Sequence, residues 1–299
     1  MRIGFIGLGL MGSRMARRLL DEEYLLTVTN RTPKKAQTLL DAGADWAGGP
    51  SEAVHEADVV WTMLSTPDVV RSTALGEGGF LRQAAPGALW IDSSTVDPET
   101  SRALARQAAE QDVGFLDAPV SGSTRAAETG QLLFLVGGAE KHVALARPLL
   151  EAVGRKVIHV GDVGEGSALK LVFNQLLGTV LLGGAEALRL GEALGLDRAR
   201  LLEALEDCDA LPGRLRDRLR DDLAVGDYEP GFPLKWIEKD LGLALESGVC
   251  SGAVLPMTAS ARTVYGQARQ CGWGNHGITA VAEFLYGRCR SRTSEQAKE

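Results

Sequence analysis

Three polar residues recur at helical spacing near the middle of the chain. Ser167, Lys170 and Asn174 stand at positions i, i+3 and i+7, which places them on one face of a helix. A lysine there can exchange a proton with a reacting oxygen. The same spacing also suits a solvated stripe, where most helical lysines lie. Apolar residues flank Lys170 and indicate a partly buried charge, but the pattern alone leaves catalysis and a snorkelling lysine both open.

A glycine-rich turn opens the chain. The segment Gly7-Leu8-Gly9-Leu10-Met11-Gly12 has the pattern G-x-G-x-x-G between a predicted strand and a predicted helix. Gly7 permits a tight turn, Gly9 lets the backbone approach a pyrophosphate, and Gly12 permits close packing of helix on strand. Free N–H groups at the helix start favour an anion. The six residues predict a dinucleotide cofactor, and a glycine turn without a ligand is the alternative.

The end of the second predicted strand bears on which dinucleotide binds. NAD-selective folds carry Asp or Glu at this position to bond the ribose 2′-OH, whereas this chain has Asn30-Arg31-Thr32. A guanidinium can pair with a 2′-phosphate, and Asn and Thr can donate hydrogen bonds to it. The same residues also suit the start of a helix, since Thr before Pro is a good cap. We therefore expect NADPH, with NAD possible.

Two further loops follow predicted strands and carry hydroxyl groups. Ligands of open α/β sheets gather beyond the carboxyl ends of strands. Met63, Leu64 and Ser65 in the first loop, and Thr95 in the second, are therefore candidate cofactor-binding residues. Hydroxyl-rich loops are also common as plain helix caps, so each loop alone leaves both functions open.

These residues need elements to position them. Short β-branched runs alternate with helical patterns through the first half, which predicts an α/β fold with a Rossmann domain and a doubly wound, mainly parallel sheet. After residue 160 only helical patterns follow, beginning with a long helix. The predicted organisation is a dinucleotide-binding Rossmann domain over 1–164, a long inter-domain helix over 165–194, an all-helical substrate and oligomerisation domain over 195–287, and a disordered tail over 288–299. The segment 207–213 matches no motif; a helix connection or a lining of the substrate side are both open.

Composition excludes several classes of partner. A formal net charge of -7 over 299 residues gives no basic face for nucleic acid. The longest apolar stretch, Leu176–Ala185, is too short to span a bilayer, so we expect no membrane partner and a cytoplasmic protein. The four cysteines lie far apart, which favours free thiols in a reducing compartment over disulfides or a zinc site. No histidine has a ligand at metal-binding spacing, and we expect no metal.

Four segments in the same order resemble the β-hydroxyacid dehydrogenase family over nearly the whole chain. They are the glycine turn, a substrate-binding loop, a catalytic helix segment and a C-terminal helix that faces cofactor and substrate. In this sequence they read Gly7-Leu8-Gly9-Leu10-Met11-Gly12, Asp117-Ala118-Pro119-Val120-Ser121-Gly122-Ser123, Gly166-Ser167-Ala168-Leu169-Lys170-Leu171-Val172-Phe173-Asn174, and Phe232-Pro233-Leu234-Lys235 running on to Lys239-Asp240-Leu241.

The resemblance implies a role for each matching position. Lys170 would be the general acid/base, with Asn174 as its substrate-binding neighbour. Lys239 would contact the cofactor and help to close the site from the helical domain. The remaining substrate-binding residues implied by the resemblance are Ser121, Gly122, Ser123, Thr95, Phe232 and Asp240.

Departures from related groups narrow the implied activity. Phosphogluconate dehydrogenases have His-Asn where this chain has Phe173-Asn174, and imine reductases replace the lysine that is kept here as Lys170. The Ser-Gly-Ser loop most resembles glyoxylate/succinic semialdehyde reductases, which reduce short aldehyde acids with NADPH. Alternatives are a 3-hydroxyisobutyrate dehydrogenase, a tartronate semialdehyde reductase, or a non-catalytic dinucleotide-sensing module. Similar proteins form dimers or tetramers, so a homodimer or homotetramer is expected.

Overall fold

The computed structural model of the chain describes residues 1–206 and 212–290. It divides into two compact units, Met1–Leu171 and Val172–Glu299. The division falls inside the long helix, seven residues after the boundary expected from the sequence at 164. Residues 207–211 of the uninterpreted segment, and residues 291–299 of the predicted tail, lie outside the described residues.

A nine-stranded sheet forms the centre of the first unit. Its strands are β1 (Arg2–Ile6), β2 (Leu25–Thr29), β3 (Asp45–Trp46), β4 (Val59–Thr62), β5 (Leu89–Asp92), β6 (Gly114–Asp117), β7 (Val120–Ser121), β8 (Leu132–Gly137) and β9 (Gly154–Gly161). The order is β3-β2-β1-β4-β5-β6-β8-β7, and β9 pairs with β8. The first six are parallel, β8 is antiparallel to β6 and β7, and β9 is parallel to β8. The mainly parallel sheet of the α/β prediction is confirmed.

Helices cover both faces of this sheet. They are α1 (Gly12–Asp21), α2 (Gln37–Leu40), α3 (Pro50–Ala53), α4 (Pro67–Leu75), α5 (Pro98–Ala109), α6 (Thr124–Glu128) and α7 (Glu140–Val153). Alternate strand residues supply two apolar cores: Phe5 and Trp61 belong to one, and Ile6 and Val60 to the other. The helix expected to open at Pro33 begins instead as a 3₁₀ turn, Pro33–Ala36.

The parallel strands end level with one another. Pairing places Thr29 beside Ile6, Ile6 beside Thr62, Thr62 beside Asp92, and Asp92 beside Asp117. Each is the last residue of its strand. The loops that follow these strands therefore start at the same edge of the sheet, where ligands of this fold class bind.

Among the described residues of the second unit, all elements of regular secondary structure are helices or helical turns. The long helix α8 (Glu165–Ala193) runs into it, followed by α9 (Arg198–Glu206), α10 (Gly213–Val225), α11 (Leu234–Ser251), α12 (Pro256–Ala268), a π-helical segment Arg269–Trp273, a 3₁₀ turn Ile278–Ala280 and α13 (Val281–Leu285). Leu181, Leu234, Ile237 and Tyr265 lie in its core. The sequence predicted helical patterns after residue 160, and these elements agree with that; α10 was not predicted as a helix, since its sequence is dominated by charged residues.

Helix α8 buries one face and exposes another. Leu181, Ala185 and Leu188 are buried, whereas Leu176 and Leu190 are 59% and 61% exposed. By length and composition the helix could cross a membrane, with a mean hydropathy of 1.4 over its best 18-residue window, of which 39% is buried. The apolar part of α8 is thus longer than the segment Leu176–Ala185 identified from the sequence. The absence of a membrane partner stays a prediction.

The cysteine prediction is wrong for one pair. Cys271 and Cys289 form a disulfide with a Cα–Cα distance of 4.7 Å. The chain after α13 folds back onto the π-helical segment: Trp273 Nε1 donates to the Arg288 carbonyl at 2.8 Å, and Arg290 N donates to the Cys271 carbonyl at 2.9 Å. Residues 288–290 are therefore held in place rather than part of a disordered tail. A spacing of 18 residues gives no sequence signal for this contact.

Cys250 is a free, exposed thiol, and Cys208 lies outside the described residues. The bonded pair Cys271 and Cys289 gives no indication of a reducing compartment, unlike free thiols. A cytoplasmic location stays a prediction.

Candidate active site

The glycine turn between β1 and α1 leaves room for a ligand. A Cβ on Gly7, whose φ is +105°, would lie 2.4 Å from the Met63 carbonyl oxygen, and one on Gly12 would lie 1.9 Å from the Gly7 carbonyl oxygen. Both positions require glycine. Gly9 is different, because a Cβ there would meet nothing within 4 Å. Helix α1 has no side-chain cap and no acidic residue in its first turn, so its N–H groups suit a pyrophosphate.

Asn30 ties the end of β2 to this turn. Its Oδ1 accepts a hydrogen bond from Leu8 N at 3.0 Å, and its Nδ2 donates to the Thr32 carbonyl at 3.0 Å. The side chain thus holds the loop instead of projecting freely. Arg31 and Thr32 are exposed, as are Lys34 and Lys35 on the following 3₁₀ turn. Three exposed cations therefore follow the end of β2 within five residues, and Lys34 and Lys35 add to the charge that the sequence assigns to Arg31.

The loops after β4 and β5 are joined to each other by hydrogen bonds. Leu64 N donates to Ser94 Oγ at 2.9 Å, and Thr62 Oγ1 donates to the buried Asp92 Oδ1 at 2.7 Å. Trp90 Nε1 completes the group by donating to Thr62 Oγ1 at 2.8 Å. These bonds hold the backbone of Met63, Leu64 and Ser65 next to the loop that carries Thr95; all four of these residues are half-buried.

The predicted substrate loop, residues 117–123, begins at the last residue of β6. Ser121 is half-buried in β7, and Gly122 has a φ of +145°, a conformation that side chains rarely adopt. Ser123 caps the short helix α6 by accepting from Ala126 N at 3.4 Å. Ser121 N and O therefore lie in a sheet edge, while the Gly122 and Ser123 backbone turns away from it. Asp117 is both the last residue of β6 and the first residue of this loop.

Lys170 lies in the second turn of α8 and is half-buried. The helix start is fixed within the first unit, because Gly164 N and Ser167 N both donate to Asp117, at 2.8 and 2.7 Å. Burial raises the pKa of the Asp117 carboxyl to about 6, although hydrogen bonds from Gly164 and Ser167 oppose that shift. The first unit thus holds the predicted proton donor, the substrate loop and the cofactor turn.

A second group of predicted residues lies in the second unit. Asn174 is buried, and its Nδ2 donates to Asp240 Oδ2 at 2.6 Å. Lys239 Nζ forms an ion pair with Asp240 Oδ1 at 2.8 Å. Phe232 is half-buried just before α11 and packs on the apolar core of the unit. Asn174, Lys239 and Asp240 therefore form one connected cluster.

Two buried aspartates at strand ends, Asp92 and Asp117, were not predicted as functional residues from the sequence. Asp117 appeared only as the first letter of the substrate-loop motif, and Asp92 not at all. A buried carboxylate at a strand end gives no periodic signal, and its hydrogen-bond donors are non-local. Among residues 1–206 and 212–290, no cluster of three or more His, Cys, Asp or Glu side chains could hold a metal ion.

Two family models together match almost the entire chain. The NAD-binding domain of 6-phosphogluconate dehydrogenase matches residues 2–161, and the NAD-binding domain of NADP-dependent 3-hydroxyisobutyrate dehydrogenase matches residues 164–285.

Curated relatives agree with these models. An NAD-dependent L-serine dehydrogenase of Pseudomonas aeruginosa is 38% identical over 95% of this chain and 97% of its own length. Glyoxylate/succinic semialdehyde reductase 1 of Arabidopsis thaliana is 34% identical over 95% of this chain and 98% of its own. A solved 3-hydroxyisobutyrate dehydrogenase of Mycobacterium tuberculosis with L-serine is 33% identical, covering 95% and 98% of the two chains, with a TM-score of 0.84.

Proposed function

Because the chain belongs to the β-hydroxyacid dehydrogenase family and is therefore a nicotinamide-dependent oxidoreductase, we propose that it reduces a short aldehyde acid with NADPH. The substrate is glyoxylate or succinic semialdehyde, and the product is the corresponding hydroxy acid. The observation that carries this proposal is the half-buried Lys170 on a helix whose first turn is bonded to the strand end next to the substrate loop.

The residues present fit a dinucleotide. Gly9 offers an open approach, and the uncapped start of α1 offers N–H donors for the pyrophosphate. Arg31, with Lys34 and Lys35 beside it, supplies positive charge for a 2′-phosphate. The bound nicotinamide would supply the hydride.

Lys170 supplies the proton in this proposal. Negative charge develops on the carbonyl oxygen of an aldehyde as hydride reaches its carbon, and an ammonium group beside that oxygen stabilises the charge and donates a proton. Ser121 and the backbone at Gly122 would hold the substrate carboxylate. Asn174, Lys239, Asp240 and Phe232 are proposed to contact substrate or cofactor, as the family resemblance implies.

A second candidate reaction is the oxidation of a 3-hydroxy acid such as L-serine or 3-hydroxyisobutyrate with NAD. The relative that is 38% identical is an NAD-dependent L-serine dehydrogenase, and the solved structure at 33% identity contains L-serine. Asn30 leaves this route open, since its side chain binds Leu8 and Thr32 rather than excluding a ribose hydroxyl. Tartronate semialdehyde is a further aldehyde acid of the same class.

Steady-state rates separate these functions. The purified chain is assayed with NADPH and NADH against glyoxylate, succinic semialdehyde and tartronate semialdehyde, and with NADP⁺ and NAD⁺ against L-serine and 3-hydroxyisobutyrate. The proposal expects the highest kcat/KM for NADPH with glyoxylate or succinic semialdehyde. A higher value for NAD⁺ with L-serine would establish the second candidate instead. Cofactor binding without turnover of any substrate would favour a dinucleotide-sensing module.

We also propose that the chain forms a homodimer or homotetramer through α8. Val172, Leu176, Gly183 and Leu190 recur at helical spacing on one face, and the three apolar side chains are 58%, 59% and 61% exposed in that order. A Cβ on Gly183 would meet nothing within 4 Å, so a second helix can approach closely there. A second copy of the chain would cover this apolar face.

A further inference from the structure

We propose that Asp117 is a positioning residue for Lys170, and that its ionised carboxylate fixes the first turn of α8 relative to the substrate loop. The inference rests on the proposed role of Lys170 as proton donor. Lys170 lies one helical turn after Ser167, whose backbone the carboxylate binds. Asp117 is also the first residue of the predicted substrate loop, so its side chain sets the spacing between that loop and the first turn of α8.

The carboxylate replaces the side chain that normally caps a helix. Gly164 is the residue before the helix, and its N–H donates to Asp117 Oδ1 at 2.8 Å. Ser167 N, in the first turn, donates to Oδ2 at 2.7 Å. The N–H groups at a helix start have no acceptor within the helix, and a neighbouring side chain usually accepts from one of them. Here the acceptor comes from a strand end fifty residues earlier, so capping also joins α8 to the sheet.

Close packing makes this junction rigid. A Cβ on Gly166 would lie 2.4 Å from the Leu135 carbonyl oxygen, and a Cβ on Gly137 would lie 2.6 Å from Asp117 Oδ1. Ser167 is fully buried, and its Oγ is 2.9 Å from Ser101 Oγ on α5. The helix start therefore has no room to move without breaking its bonds to Asp117.

Only the ionised form of Asp117 can accept both N–H groups equally. A carboxylate is a strong acceptor at both oxygens, whereas a protonated carboxyl keeps only a weak acceptor at its hydroxyl oxygen, and an Asn amide turns a donor toward one of the two N–H groups. Loss of one bond would release the first turn and displace Lys170. Burial raises the pKa of Asp117 to about 6, so the bonded form is lost as the pH falls through that value.

The charged groups around Asp117 come from three neighbouring elements. Asp92 is its partner on β5, and Asp162 and Glu165 stand at the start of α8. From α5, Arg102 lies against Gly164, which donates to the carboxylate. The β8 residue against the carboxylate is Gly137, which carries no charge. Burial and hydrogen bonds, rather than any of these charges, are the causes of the shifted pKa.

The test compares Asp117→Asn with the wild type and with Asp197→Asn. Asp197 accepts from Arg200 N at the start of α9 and so is a helix-capping carboxylate of the second unit. For each protein, kcat and KM are measured on the best aldehyde acid, NADPH affinity is measured by fluorescence titration, and kcat is followed from pH 5 to 8.

We expect D117N to lower kcat at least tenfold while the Kd for NADPH changes less than twofold, and D197N to stay within twofold of the wild type. Wild-type kcat should fall below about pH 6, and D117N should lack that fall. A general loss of folding would not produce this split between kcat and cofactor affinity. D117N with wild-type kcat, or a wild-type kcat that is flat from pH 5 to 7, overturns the inference.

The wild-type pH profile needs no variant, so the test stands even if D117N does not fold. Absence of turnover in the wild type would overturn the proposed function and this inference with it. Turnover in the wild type with an unchanged D117N would overturn only the role of Asp117.

Discussion

Asn30 Oδ1 accepts a hydrogen bond of 3.0 Å from Leu8 N, and so joins the end of β2 to the glycine turn between β1 and α1. The side chain also donates to the Thr32 carbonyl. With both ends of its amide engaged, Asn30 is an organiser of the loop. We therefore propose that Arg31 and its cationic neighbours, rather than Asn30, discriminate between NADPH and NADH.

Arg31→Ala should raise KM for NADPH about 30-fold while KM for NADH changes less than twofold. The reason is the loss of a charge-assisted hydrogen bond to the 2′-phosphate, worth roughly 2 kcal/mol. Arg17→Ala, which removes an exposed guanidinium paired with Asp21 on α1, is the matched control. Equal effects of R31A on the two cofactors would show that Arg31 does not read the phosphate.

Lys170→Ala should lower kcat about 10³-fold, within the range for loss of a general acid, and leave NADPH affinity within twofold. Rapid-mixing measurement of NADPH oxidation and fluorescence titration give the two quantities. Lys156→Ala, at an exposed position on β9, should behave as the wild type. Near-normal turnover of K170A would remove Lys170 from the chemistry.

The raised pKa of Asp117 has a defined effect on stability. Its folded-state pKa of about 6 exceeds the ordinary value of 3.8, so the folded state binds the proton more tightly. The contribution of this group to the free energy of unfolding therefore decreases as pH rises from 4 to 6, by about 3 kcal/mol in total. Urea unfolding of the wild type and D117N across this pH range measures the difference between their free energies of unfolding. The wild-type value minus the D117N value should decrease as the pH rises. A constant difference would mean that the two states titrate alike.

At neutral pH the ionised Asp117 side chain therefore lowers the free energy of unfolding. Residues with a functional role commonly lower folding stability in this way.

Reduction of the Cys271–Cys289 disulfide should destabilise the second unit by about 3 kcal/mol, the value for closing a loop of this length. Cys289→Ser should have a lower melting temperature than the wild type. Adding a reductant should lower the melting temperature of the wild type to that of C289S. Cys250→Ser, at the exposed free thiol, should leave the melting temperature unchanged. Identical melting of C289S and oxidised wild type would indicate that the bond does not form in solution.

Leu176→Arg should shift the protein toward monomer in sedimentation velocity, because a guanidinium on the exposed face of α8 would be buried without a partner in the assembly. Leu145→Arg changes an exposed leucine on α7 and serves as the control. If L176R sediments as the wild type does, the oligomer uses another surface, and a monomeric wild type would rule out the assembly itself.

Local pattern was sufficient to predict most elements. The β-branched runs at β1, β2 and β6 and the apolar periodicity of α8 and α9 specify their own secondary structure, and α8 spans Glu165–Ala193 where a helix over 165–194 was predicted. The two-residue strands β3 and β7 are too short to show alternation. The antiparallel direction of β8 depends on how the chain returns to the sheet, which no local pattern encodes.

Site residues that belong to a contiguous sequence motif could be predicted. Contacts between residues that are far apart in the sequence could not. The glycine turn and the Lys170 segment can each be recognised within ten residues. The bond from Ser167 to Asp117, the bond from Leu8 to Asn30, and the disulfide all join residues brought together by the fold. For that reason Asn30 was predicted as a phosphate ligand, while its bonds to the loop emerged only in three dimensions.

The level row of strand ends from Thr29 to Asp117 has a consequence for protein engineering and for divergence among relatives. Each loop starts from the same height on a rigid base, so exchanging one loop leaves the starting points of the others unchanged. Grafting the segment 118–123 of the proposed substrate loop from a relative should therefore transfer substrate range. A single-residue insertion inside any of these strands would instead displace one loop relative to its neighbours and reverse which side chains face the core.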